Sequence, residues 1–156
     1  MGKSSATRKN PGVLKRIRRR VSIMGRKEVK VGWFPPKASA ETIEIATINT
    51  LGAPAANIPA RDAITPVVRG NEQTIKGFNS KAVHLANRDK DPTPALESLA
   101  GFLDREVTQS VRGFSTPANA ESTVATKGFN DPLVGAGADG GRLVAEVGAA
   151  LVKRRG

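Results

Sequence analysis

Few residues in this 156-residue chain are equipped for chemistry. His84 is the single histidine and cysteine is absent, so a histidine metal cluster, a thiolate zinc site, a disulfide and a cysteine nucleophile are all excluded. His84 sits beside Leu85 on a weakly helical stretch, with no serine or carboxylate at a recognisable catalytic spacing. It therefore reads as a partly buried structural residue rather than a general base. Gly135, Gly137 and Gly140 match the spacing G-x-G-x-x-G. However, Asp139 would oppose a pyrophosphate, and too little chain follows for a strand–helix–strand unit. That segment reads as a turn, and neither a cofactor nor an enzymatic activity is expected.

What remains is charge. The run LKRIRRR places Lys15, Arg16, Arg18, Arg19 and Arg20 within six residues. Residues 1–30 hold 11 Lys/Arg against Glu28 alone, whereas residues 31–156 hold 14 against 13 acids, so the formal charge of +11 divides as +10 and +1. The basic character belongs to an N-terminal arm carried on a nearly neutral body. Such an arm suits DNA, through phosphate neutralisation, or an acidic protein surface, and these two readings stay open here. Aromatics at 4% and the lack of tyrosine leave little for base stacking.

The elements that must carry these residues can be read from spacing. Residues 1–12 read as a disordered tail. Val13, Leu14, Ile17, Val21 and Met24 form one helical stripe among the basic residues, with Gly25 as the stop. Val29, Val31 and Trp33 alternate as a strand, ended by Pro35–Pro36. Ser39 can cap a helix running to Leu51, with Ile45, Ile48 and Leu51 along one side and Gly52 closing it. Residues 53–70 are proline-broken and extended, with a possible edge strand at 64–68. A weak helix interrupted by Gly77 follows at 71–87. The strongest helix starts at Pro92 and Pro94 and repeats Leu96, Leu99, Leu103, Val107, Val111 and Phe114 at three- or four-residue spacing. Residues 115–141 read as loop with one short helix near 120–127, and 142–152 as a final strand. Long apolar runs of bilayer-spanning length are absent, and the basic N-terminus has no apolar core of the secretory type. A cytoplasmic protein is expected, of class α+β, with the arm at 1–25 and a single domain at 26–156.

Within the broken segment, NIPARDAITPVV (57–68) brackets Arg61 and Asp62 with Pro59 and Pro66. It can serve as a rigid connection, or as a stiff interaction loop in which Ile58 and Ile64 anchor and Arg61 directs the contact. Stiffness lowers the ordering cost of binding in the second case.

Two separated motifs then fall in a telling order. INTLG at 48–52 precedes IPAR at 58–61, and STVATKGFNDPLVGAG at 122–137 precedes RLVAEVGAALV at 142–152. Over residues 27–152 the chain resembles the phage neck or tail-completion proteins, such as the Mu-type virion morphogenesis and lambda-type minor tail completion proteins. These show a strand, a helix ending in an Asn-Glu-Phe-Gly-like stretch, an Ile-Pro-Ala-Arg-Pro-Phe segment and a long helix. A Thr-x-x-x-Lys-Gly stretch, Pro-Leu-x-Asp-Thr-Gly and a final strand come later. Thr50 and Leu51 stand here for Glu and Phe, Asp62 and Ala63 for Pro and Phe, and Gly135 and Ala136 for Asp and Thr, as in a distant member.

The resemblance implies a small antiparallel sheet packed against helices, with a long central helix and the basic helical arm. It also implies a structural role at the virion head–tail junction, assembled in the bacterial cytoplasm without enzymatic activity. The expected partners are further copies of the chain, in a ring of sixfold or twelvefold symmetry, and adjacent connector, tail-terminator or tail-tube proteins. Subunit contacts are then expected at Ile58, Pro59, Arg61 and Ile64, with partner or lumenal DNA contacts at Lys15, Arg16, Arg18, Arg19 and Arg20. The alternative class is a basic nucleic-acid-binding protein of ribosomal or chromatin type. A dedicated binder of that kind should spread its charge onto the body, which is nearly neutral here.

Overall fold

The computed structural model describes residues 11–128, 130–135 and 141–154. Helix α1 (Pro11–Gly25) leads into strand β1 (Lys27–Gly32), followed by α2 (Ala40–Leu51), α3 (Thr65–Gly70), α4 (Glu72–Asn87) and α5 (Thr93–Arg112). Helices α6 (Glu121–Lys127) and α7 (Arg142–Glu146) precede strand β2 (Gly148–Lys153). The class is α+β: β1 and β2 pair antiparallel, from Lys27 opposite Lys153 to Gly32 opposite Gly148. Two strands alone are marginal in water, so this ribbon depends on the helix beneath it.

That helix is α5. Leu96 packs with Ala82 and Ala95, against Met24, Val29 and Leu151. One to two turns on, Leu99 and Leu103 meet Ala149, with Val29, Val31, Ile75 and Phe78 around them. Further along, Val107 and Val111 join Ala63, Leu133, Val144 and Val147. A single face of α5, repeating at helical spacing, thus contributes to all three of these core clusters, as its sequence period predicts. Burying each such aliphatic side chain contributes about 1.5–3 kcal/mol. The Asp104 carboxylate ties α5 to β2 by accepting the Ala149 N–H at 3.0 Å, and it also pairs with Lys37.

Several expectations change. Residues 64–68 are not an edge strand: Pro66 occupies the first turn of α3, where its missing N–H costs nothing. Helix α4 runs unbroken through Gly77. The expected final strand divides in two, because Val144 and Val147 are buried at helical spacing in and just after α7, and strand alternation begins only with Ala149 and Leu151. His84 is exposed on α4 rather than partly buried. The expected tail falls largely on residues 1–10, outside the described residues, as do Gly137, Asp139 and Gly140; at residues 11 and 12 the structure is already helical.

Candidate functional site

The IPAR segment is held from four directions. Gly52 ends α2 at φ 75, a left-handed conformation, and a Cβ there would lie 2.8 Å from the Ala60 nitrogen and 2.9 Å from the Ile58 oxygen. Only glycine lets the returning chain pass so close. Ala53 and Ile58 exchange backbone hydrogen bonds of 2.8 and 3.1 Å around a single 3₁₀ turn at Pro54–Ala56, with Asn57 left-handed. The Arg61 N–H donates to the Asn49 carbonyl at 2.6 Å, fastening the segment to the last turn of α2. On the far side, Ser110 of α5 donates its hydroxyl to the Ala63 carbonyl at 2.7 Å.

The Arg61 side chain faces inward. It is 7% exposed, and its guanidinium donates to the Pro117 oxygen at 3.2 Å, the Ala118 oxygen at 3.0 Å and the Asn49 side-chain oxygen at 3.3 Å. Burial lowers its pKa, yet a guanidinium stays charged throughout the accessible pH range. A buried cation is tolerable when dipoles satisfy its donors, and here two carbonyls and an amide do so. Asp62 turns the other way, its Oδ1 accepting from the Ile64 and Thr65 N–H groups at 3.0 and 2.9 Å and so capping α3. Burial opposes its ionisation, but the hydrogen bonds from Thr65 and Ile64, with the nearby Arg69 charge, hold its pKa below the usual carboxylate range.

The partner segment is the stretch ahead of and within STVATKGFNDPLVGAG. Asn119 donates its N–H to the Asn130 side chain at 3.0 Å, and Leu133 is buried in the α5 core. Between the two segments lies a cleft of about 670 Å³, walled by Ile58, Pro59 and Arg61 on one side and by Asn119, Ser122 and Thr123 on the other. The two motifs therefore converge on one place. Asn49, Asn119 and the Pro117 and Ala118 carbonyls were not singled out by sequence; INTLG, which contains Asn49, was the available signal.

The four residues expected at a subunit contact, Ile58, Pro59, Arg61 and Ile64, divide between surface and interior. Pro59 is exposed and Ile58 half-buried, but Arg61 braces its own chain and Ile64 packs against the core, because α3 folds it inward. On α1, Lys15, Arg16, Arg18 and Arg19 are exposed. Arg20 instead grips Asp89, Nε to Oδ1 at 3.3 Å and Nη2 to Oδ2 at 3.1 Å. The Arg20 hydrogen bond, helped by the Arg19 and Arg16 charges, keeps the Asp89 pKa below its ordinary value. Among the described residues, no cluster of three or more His, Cys, Asp or Glu side chains could hold a metal ion, and no helix is long and apolar enough to cross a membrane. No known protein family, curated protein or solved structure matches the chain.

Proposed function

We propose that this protein is a structural component of the phage head–tail junction. It assembles into a ring between connector and tail and carries out no reaction. The observation that supports this most is the meeting of its two family-like motifs. IPAR and the region leading into TKGFNDPLVGAG lie far apart in sequence, yet the buried Arg61 joins them through its guanidinium hydrogen bonds. A cleft held as a rigid frame suits a subunit that must present fixed surfaces to neighbours, since preorganisation lowers the cost of association.

Purified tailed particles test the reading. Peptide mass spectrometry should find the chain in the particle at a copy number that is a small multiple of the tail's rotational order. Its absence from particles that contain portal and tail-tube proteins would refute the proposal.

A further inference from the structure

Most large apolar side chains left exposed fall on two helices. On α1 they are Val13, Leu14, Ile17 and Val21, and on α2 they are Ile45, Ile48 and Leu51, the last 72% exposed. The sequence placed the α2 trio on one side; the structure turns that side outward and buries Thr42 and Ala46 against the body instead. Glu41 and Glu44 share the outward face, since positions three, four and seven apart align on a helix. On α1 the apolar stripe is flanked by Arg16 and Arg18. One face is basic and apolar, the other acidic and apolar.

We infer that α1 of one copy docks on α2 of a second copy of this chain. The contact rests on the reading of the protein as a self-assembling subunit. Duplex DNA could neutralise Arg16 and Arg18 but would leave Val13, Leu14 and Ile17 in water. An acidic helix bearing isoleucines and leucine satisfies both features at once. The lengths agree, at about 22 Å for α1 and 18 Å for α2. Helix α1 leads directly into β1 at Lys27, whereas α2 begins only at Ala40, after residues 33–39 that follow the strand's other end at Gly32. Helix α1 packs on α4 and β1, whereas α2 packs on α7. Beside α1, Val21, Met24, Val83 and Ala86 line a groove of about 410 Å³ that extends the apolar surface. Glu41 is shared with Arg142, but the Glu44 carboxylate has no ion pair or hydrogen bond among the described residues. Because the two patches differ, the contact is head-to-tail and propagates around a ring if the rotation closes.

The cysteine-free chain makes a direct test simple. Ile17→Cys and Ile48→Cys variants of the full chain, mixed and oxidised, should yield a mixed disulfide dimer while neither alone does so. Disulfides within either variant alone, or none in the mixture, overturn the contact. Arg16→Glu with Arg18→Glu should weaken self-association by about tenfold in light scattering, Glu44→Lys should also weaken it, and combining the reversals should restore it. Circular dichroism checks that these exposed variants stay folded. Assembly without cross-link or rescue overturns the contact and leaves the junction reading intact. Cross-link and rescue in a chain missing from particles uphold the contact and remove that reading. A chain that stays monomeric and binds duplex DNA through Arg16 and Arg18 overturns the contact in favour of nucleic acid.

Discussion

Arg61 shows how a charged residue in an apolar stretch can be structural. Its guanidinium meets carbonyls of a loop more than fifty residues away, while the arginine itself is buried and would be left without acceptors if they moved. Arg61→Ala should therefore lower stability by about 2–3 kcal/mol, read as a fall in the denaturant midpoint at unchanged slope. Arg61→Lys should restore little, because an ammonium cannot span three acceptors in the fork geometry. The neighbouring Asp62 makes a pH prediction. Its folded-state pKa is depressed, so its stabilising effect is complete above the unfolded value, about 4, and is lost as pH falls through the folded value. Asp62→Ala should cost about 1 kcal/mol near neutrality, as lost helix caps do. Asp62→Asn keeps a capping oxygen without the charge, and should hold neutral stability while flattening the acid slope of the unfolding curve.

At the scale of elements, close approach decides what may be replaced. Gly52→Ala puts a Cβ against the Ala60 and Ile58 backbones at a positive φ, and should destabilise by about 2 kcal/mol or more by thermal melting. The arm is less separable than its composition suggests, since Met24 packs into the core and Arg20 holds Asp89. Removing residues 1–30 would take Val29 and four of the six residues of β1 with it and should unfold the body. Removing residues 1–19 should leave the melting transition within a few degrees of the intact chain.

Much of this was legible from spacing alone. Helix α5, strand β1 and the Ser39 cap of α2 all follow local rules, and Ser39 accepts the Thr42 N–H at 3.1 Å as a cap should. The rest was set by tertiary contacts. Nothing local tells that α2 buries Thr42 and Ala46 rather than its isoleucines; small side chains allow a close approach to α7, and the two glutamates on the opposite face were the only hint. Within the cleft, IPAR was visible as a motif, but the inward turn of Arg61 depends on carbonyls supplied by a distant loop. The apolar alternation at 143–149 pointed to a strand throughout, but Val144 and Val147 are buried at helical spacing and the first half is helix α7.

For the molecule as a whole, charge and exposed apolar surface are arranged asymmetrically, basic on α1 and acidic on α2. Raising ionic strength should weaken association steeply at first and then level off, because salt screens the rim charges while leaving the apolar contact in place. A protein of the head–tail junction must, however, sit at one place in the particle. Gold-labelled antibody against the folded body, applied to purified tailed particles and viewed by electron microscopy, tests it most directly. A junction protein should give label confined to one position between capsid and tail. Label over the capsid shell, along the tail, or on no particle at all would contradict it.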